Sequence, residues 1–183
     1  MTMPTTPRGR DLIEGSLNFA RRPGMLARLV APGFGKILDR IDKALVSGSI
    51  AAYKAVDLAS RWVQRGATVR VRMTPAACRF IQPLTFEAVT RTEVISKIWH
   101  PIGTHERPEH IGAGDDADIL VIAPASADHI ARLAHGFGDD VVCLTALAWD
   151  GPTVVCPAMN DRMWQNPALQ ENVRILLERG IHV

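Results

Sequence analysis

The chain has 183 residues, of which 47% are apolar and 22% charged, and its formal net charge is +2. This composition excludes a disordered polymer, and the length allows one domain with a substantial core. No apolar run approaches the roughly 20 residues of a membrane helix, and no apolar segment follows the N-terminal arginines as in a signal peptide. We therefore expect a cytoplasmic protein without a membrane partner.

The cysteines and histidines give no sign of a disulfide framework or a metal centre. Three cysteines, an odd number, indicate free thiols in a reducing compartment: Cys78, Cys143 and Cys156. None of the six histidines stands at zinc-like spacing from cysteine or carboxylate, so no metal is expected: His100, His105, His110, His129, His135 and His182.

Residues 1–38 form a basic extension. Residues 1–40 hold seven lysines and arginines against three acidic residues, and proline and glycine interrupt every short amphipathic piece. Such an arm can touch nucleic acid, but a solvated arm is the commoner case, so no nucleic-acid partner is expected. We expect this extension to pack on the domain or on a neighbouring subunit.

Residues 39–183 alternate strands and helices. In chain order, "KALV" is a short strand, and "SIAAYKAVDLASRWVQRG" has helical spacing and ends at Gly66. "ATVRVRM" alternates apolar and basic residues as an edge strand does, and "DILVIAPA" is typical of a strand buried on both faces.

The second half continues the alternation. "DHIARLAHG" is a helix ending at Gly136, "VVCLTALA" fits either strand or helix, and "TVVC" is a strand. "NPALQENVRILLERG" is a helix between Pro167 and Gly180, and "IHV" is a last strand. This order predicts an α/β fold with a doubly wound parallel sheet.

The first strand-to-helix turn is a candidate anion site. Gly48 permits a tight turn, and Ser49 places a hydroxyl beside the amides that begin the helix. The turn lacks the G-x-G-x-x-G pattern, and Thr74 follows the second strand where an NAD site would carry an acidic residue. A mononucleotide therefore fits better than NAD, although a glycine-serine turn also serves helix capping alone.

Other polar residues stand near strand ends or in a loop. Ser126 and Asp128 open a helix, for which an ordinary N-cap is the simplest interpretation. His110 is a candidate general base. Asn160 can hold a carboxylate or an amide, or cap the helix that follows, whereas Met163 and Trp164 are of the residue types usually found in a core.

Three motifs in one order identify a family resemblance. "GSIAAYK", a His-Ile pair ahead of "ADILVIAPASA", and "PAMNDRMW" resemble the flavin-containing cysteine decarboxylases over residues 41–183. That family includes phosphopantothenoylcysteine decarboxylase and the epidermin-type peptide decarboxylases. The resemblance implies a Rossmann-like, flavodoxin-type sheet in three αβα layers, assembled into homotrimers or into dodecamers of trimers.

The resemblance also implies a site for FMN, with FAD as the alternative, at a subunit interface. Residues implied at the phosphate, ribose and flavin are Gly48, Ser49, Ile50, Thr74, Ser126, Ala127, Asp128 and Ala158. His110 matches the active-site histidine, and Asn160 and Met163 match the substrate-binding element. The implied reaction is oxidative decarboxylation, in which a cysteine thiol is deprotonated, Cβ loses a hydride to the flavin, and carbon dioxide leaves an enethiol.

The chain departs from that family in three places. Asp128 replaces the asparagine of "SAN", and "GDD" at residues 138–140 replaces "DN", so carboxylates are expected near the phosphate. Asp42 and Lys43 stand where the first strand is usually apolar. No cysteine follows Asn160, whereas pantothenoylcysteine enzymes carry one in a clamp beyond the last strand and use it to reduce the enethiol.

The departures lead to a ranked set of functional hypotheses. The first is decarboxylation of a C-terminal cysteine on a ribosomal precursor peptide, an antibiotic-type modification, with the peptide recognised by residues 1–38. The alternatives are phosphopantothenoylcysteine decarboxylase of coenzyme A biosynthesis and a non-catalytic flavin-binding regulatory subunit. Retention of His110 and Asn160 argues against the last of these.

Overall fold

The computed structural model describes residues 43–98 and 117–183. The basic extension and His110 lie outside these described residues, and their sequence-based assignments stay predictions.

Four parallel strands form the sheet, in the order β2-β1-β3-β4. They are β1 (Lys43–Val46), β2 (Val71–Met73), β3 (Leu120–Ala125) and β4 (Thr153–Pro157). Parallel bridges from Arg72 to Ile95 and from Val154 to His182 add one pairing position outside β2 and one outside β4. Strand order therefore reverses between β1 and β3, which confirms the predicted doubly wound sheet.

Six α-helices and one 3-10 helix connect the strands of the described part. They are α1 (Ala52–Gln64), the 3-10 helix (Ala77–Arg79), α2 (Pro83–Thr90), α3 (Ala127–His135), α4 (Val141–Leu147), α5 (Asp161–Trp164) and α6 (Pro167–Glu178). Three of the helix ends are followed by glycines with positive φ, namely Gly66, Gly136 and Gly180, as the sequence predicts.

Alternation along the strands divides the core into two layers. In β1, Ala44 and Val46 join the cluster formed with α1 and α2, whereas Leu45 joins the cluster on the opposite face. That second cluster includes Ile130 of α3 and Leu176 of α6. Because each face of the sheet is covered by helices, the predicted three-layer αβα arrangement is confirmed.

One strand prediction is confirmed and one needs correction. β2 is the outermost strand of the four-stranded order, as its alternating residues predict, although Ile95 bridges to its outer side and Arg72 is only 4% exposed. The alternation did not indicate that Arg72 is buried, since neighbouring chain segments set burial. "IHV" contributes a single bridge at His182 rather than a strand.

Two helices were not specified by the sequence pattern. "VVCLTALA" is helical because Asp140 caps it, accepting from the amides of Val142 and Cys143 at 2.8 Å each. α2 has Pro83 in its first turn, which is a helix-start signal. The apolar pattern that follows is too short to predict a helix from the sequence.

None of the helices in the described ranges is long and apolar enough to cross a membrane.

Replacing Leu45 by alanine should lower the free energy of unfolding by about 2–5 kcal/mol, because Leu45 is fully buried in a central strand. The matched control is Leu177→Ala, whose side chain is 52% exposed and whose loss should change stability by no more than about 0.5 kcal/mol. Urea unfolding followed by circular dichroism measures both. Equal effects of the two substitutions would contradict the assigned core.

Candidate functional site

Loops that follow the four strands meet at one edge of the sheet. Residues 47–50 follow β1, Thr74 follows β2, residues 126–128 follow β3, and residues 158–163 follow β4. Because the strands are parallel, their carboxyl ends all lie at this edge, where open α/β sheets bind ligands. With the exception of His110, every residue predicted for the site lies in these loops or in the helical turns that follow them.

Ser47 joins β1 to β3 at the point where strand order reverses. Its buried hydroxyl donates to the carbonyl oxygen of Pro124 at 2.8 Å and accepts from the amide of Ser126 at 2.8 Å. Its own amide also donates to the carbonyl oxygen of Pro124 at 3.1 Å. Sequence reasoning missed this residue, since a serine beside a glycine gives no sign that its hydroxyl is buried.

Gly48 is required by the close approach of the loop after β2. A Cβ built on Gly48 would lie 2.6 Å from Cβ of Ala76, which is too close for two non-bonded carbon atoms. Glycine therefore lets the first and second loops touch. This close approach, rather than a special backbone conformation, explains the glycine at position 48.

Ser49 and Ala158 connect the first loop to the fourth. The hydroxyl of Ser49 lies 3.5 Å from the carbonyl oxygen of Ala158, and it accepts from the amide of Ala51 at 3.3 Å. The amide of Ala158 in turn donates to the carbonyl oxygen of Ala125 at 2.9 Å, at the end of β3. These contacts bring together three of the loops predicted to hold one ligand.

The first turn of α3 offers backbone donors. The hydroxyl of Ser126 accepts from the amide of His129 at 3.2 Å, which confirms Ser126 as an N-cap. The amides of Ala127 and Asp128 belong to the first turn, where no intrahelical acceptor exists, and the positive end of the helix dipole adds to them. This turn is suited to an anion.

The extra carboxylates noted in the sequence are engaged away from this turn. Oδ2 of Asp128 lies 2.9 Å from Nε of Arg132, and Oδ2 of Asp139 lies 2.5 Å from Nη1 of the same arginine. Hydrogen bonding to Arg132 lowers the pKa of the exposed Asp139 carboxyl. Asp140 is held as the cap of α4. Among Asp128, Asp139 and Asp140, only Asp128 has a group placed to bind an anion, namely its backbone amide.

Thr74 stabilises the loop in which it lies. Its buried hydroxyl oxygen accepts from the amide of Ala77 at 3.0 Å, and its own amide donates to the carbonyl oxygen of Val46 at 3.0 Å. The hydroxyl hydrogen is still available as a donor. Thr74 thus links the second loop to the end of β1.

Asn160 caps α5. Its Oδ1 accepts from the amide of Met163 at 2.9 Å, so the capping interpretation is confirmed, and the side-chain NH2 is the group it can offer a ligand. Met163 is 45% exposed and does not belong to the core, whereas Trp164 packs against the core cluster on its side of the sheet. Ile50 is exposed as well, at 63%.

A family model described as Flavoprotein matches residues 43–183. The chain belongs to the flavoprotein family. This membership confirms the resemblance seen in the three sequence motifs, and the fold agrees with it.

Proteins similar to this chain include two named relatives and one crystal structure. The coenzyme A biosynthesis bifunctional protein CoaBC of Bacillus subtilis is 44% identical over 138 residues, covering 74% of this chain and 33% of that protein. A probable phosphopantothenoylcysteine decarboxylase of Streptococcus mutans is 42% identical over 140 residues, covering 74% of this chain and 76% of that protein. The crystal structure of the FMN-dependent cysteine decarboxylase SpaF superposes with a TM-score of 0.71 at 35% identity, covering 79% and 83% of the two chains.

The chain spans about a third of the length of the CoaBC relatives it matches.

Replacing Ser47 by alanine should lower the free energy of unfolding by about 1–3 kcal/mol, because the amide of Ser126 loses its acceptor. Flavin content per chain should fall too, since Ser126 begins the anion-binding turn. Ser60→Ala, which removes a hydroxyl that accepts from Nε2 of Gln64 at the exposed surface, is the control. Unfolding curves and flavin absorbance check both effects, and an unchanged flavin content would disprove the positioning role.

Replacing Gly48 by alanine should strain the turn by about 1–3 kcal/mol and reduce flavin content, because the new Cβ meets Cβ of Ala76. Combining it with Ala76→Gly removes that contact and should restore part of both losses. Ala76→Gly alone gives the background. If the double variant is no better than Gly48→Ala, the clash is not the cause.

Proposed function

We propose that this flavoprotein is an FMN-dependent decarboxylase of phosphopantothenoylcysteine. The observations that carry the substrate assignment are the 44% identity to the coenzyme A biosynthesis protein CoaBC and the 42% identity to a probable phosphopantothenoylcysteine decarboxylase. This ranking reverses the order of hypotheses drawn from the sequence, in which the peptide came first.

The described loops fit FMN. An FMN phosphate is an anion, and the first turn of α3 together with the hydroxyl of Ser49 offers it donors without a competing carboxylate. The exposed side chains of Ile50 and Met163 provide apolar surface of the kind that packs against a flavin ring.

Bound FMN supplies the two-electron oxidation and reduction that the reaction needs. The chain's contribution is to bind and orient. The NH2 group of Asn160 would donate to the substrate carboxylate, while its Oδ1 stays fixed on the amide of Met163. His110 is assigned by resemblance to draw the proton from the substrate thiol, whose pKa of about 8.5 is within reach of an imidazole near 6.5.

The substrate loses a proton, a hydride and carbon dioxide. The thiol loses a proton and Cβ loses a hydride, which gives a thioaldehyde that accepts the electrons left when carbon dioxide departs. The enethiolate so formed is the product of an oxidative enzyme. In a phosphopantothenoylcysteine decarboxylase the two electrons return to the carbon skeleton, and the saturated thiol is released.

A second candidate is decarboxylation of a C-terminal cysteine on a peptide. The observation in its favour is the superposition on SpaF over 79% of this chain. The remaining parts of the proposal apply to both candidates, namely a homotrimeric or dodecameric assembly, a site shared between subunits and a cytoplasmic enzyme.

Mass spectrometry of the two substrates side by side tests the proposal. FMN-loaded full-length chain is incubated with phosphopantothenoylcysteine and, separately, with short peptides ending in cysteine. Loss of carbon dioxide alone from phosphopantothenoylcysteine supports the proposal. Loss of carbon dioxide and two hydrogens from a peptide, with phosphopantothenoylcysteine untouched, replaces it with the second candidate. Failure to turn over either substrate while FMN is bound overturns both.

Replacing Asn160 by aspartate should lower kcat/KM by about 10- to 100-fold, because a carboxylate repels the substrate carboxylate that the NH2 group would bind. Helix α5 should be preserved, since aspartate caps as well as asparagine. Asn166→Asp is the matched control, because Asn166 caps α6 through the amide of Ala168 in the same way. Equal kinetics for the two variants would exclude the assigned role of Asn160.

A further inference from the structure

A compact cluster of potential metal ligands lies between α3 and α4. His129 is in the first turn of α3, Asp140 caps α4, and Cys143 is in the first turn of α4. One potential ligand atom of each residue lies within 4.8 Å of those of the other two. Asp140 and Cys143 come 11 and 14 positions after His129 and belong to a different helix. A search for zinc-like spacing therefore does not find them.

The imidazole of His129 lies close to both of the other groups, and the ligand atoms of all three converge. Its Nε2 is 3.6 Å from Sγ of Cys143, and its Nδ1 is 3.9 Å from Oδ2 of Asp140. The second distance exceeds an N–H···O hydrogen bond, which is about 2.7–3.2 Å long. His129 is 2% and Cys143 0% exposed, whereas the Asp140 side chain is 15% exposed and faces the solvent side of the cluster.

The surroundings of the imidazole carry excess negative charge. Carboxylates of Asp140, Asp128 and Asp139 act on His129, and the single cation opposing them is Arg132. Burial lowers the pKa of the His129 imidazole. Burial, reinforced by Asp140, raises the pKa of the Cys143 thiol to about 12.

We propose that His129, Asp140 and Cys143 bind a divalent cation of the zinc type, as three ligands with a fourth position open to water past Asp140. Tetrahedral zinc holds nitrogen at about 2.0 Å and sulfur at about 2.3 Å, which places the two ligands about 3.5 Å apart. The observed Nε2–Sγ distance of 3.6 Å needs almost no adjustment.

The donor types determine the class of ion. One nitrogen, one sulfur and one oxygen suit zinc or cobalt(II), whereas magnesium and calcium prefer oxygen ligands throughout. One thiolate and one carboxylate also neutralise the two positive charges of the ion, so the buried site carries no net charge. The proton released from Cys143 leaves to solvent.

The site has a structural consequence for the edge described above. His129 donates its amide to the hydroxyl of Ser126, the residue that begins the anion-binding turn. A cation bound between α3 and α4 would therefore stabilise this turn through His129. It would contact neither flavin nor substrate. The proposed metal site does not depend on which of the two substrates the enzyme decarboxylates.

Metal content and X-ray absorption of the whole protein test the site. Tag-free, FMN-loaded chain is stripped with a chelator, given zinc sulfate and separated from free zinc. One zinc per chain is expected, with one sulfur at about 2.3 Å in the first shell. The wild-type protein alone gives this answer, so the test does not require that any variant folds.

Matched variants locate the ligands. Cys143→Ser should weaken zinc affinity at least about tenfold, whereas Cys156→Ser, which alters another fully buried thiol far from His129, should leave it unchanged. Asp140→Asn keeps the capping oxygen for α4 and should weaken affinity about 10- to 100-fold. Equilibrium competition with a chromophoric chelator measures all three.

Three results would overturn the proposal. They are failure of the stripped protein to take up zinc, a first shell of nitrogen and oxygen only, and unchanged affinity in Cys143→Ser. Each result is read without an activity assay, so it is distinct from failure of the proposed decarboxylation.

Discussion

The hydroxyl of Ser47 holds the two central strands together at the edge where the candidate site forms. Its contacts to Pro124 and Ser126, both at 2.8 Å, span the point where strand order reverses. A sheet can end in loops of many shapes, and an open crevice arises between β1 and β3 because their connections leave in opposite directions. Since the hydroxyl is buried, both hydrogen bonds form without competition from water. The position of the α3 N-terminus, and with it the anion site, depends on this contact.

Electrostatics at the same edge depend on one arginine and one helix cap. Arg132 binds Asp128 and Asp139, and the N-terminus of α4 binds Asp140. Three carboxylates close to a phosphate site would weaken anion binding by direct repulsion. Because all three have partners of opposite charge or donor character, the amides that begin α3 keep their preference for an anion. Asp140 is the one of these three carboxylates that also belongs to the proposed cation site.

Asn160, which follows the last strand, caps α5 and is proposed to bind the substrate carboxylate. Serine and aspartate would cap α5 equally well, so capping alone does not select the residue. An amide side chain caps through Oδ1 and still presents two N–H donors. A carboxylate substrate needs such donors, and both functional candidates have one, since each substrate ends in the carboxyl group of a cysteine. The described site therefore suits the whole class, and the choice between the two substrates rests on similarity to the relatives.

The sequence by itself determined the fold class and the four site loops. Its apolar periodicity and its glycines mark α1, α3, α6 and β3, because local spacing and conformational preference act over a few residues. Motif order supplied the family, which the comparison confirmed. Thr74, Ser126 and Asn160 were predicted at strand ends, and the structure places each of them there, although the sequence did not reveal their hydrogen-bond partners.

Tertiary structure decided what depends on contacts between distant segments. Burial of Ser47 and of Arg72, the approach of Gly48 to Ala76, and the pairing of Asp128 with Arg132 are examples. The joining of His129 with Cys143 is another, since it needs two helices to pack. Local sequence carries propensity, but burial and charge pairing are properties of the surroundings, and these exist only after the sheet has brought the loops together.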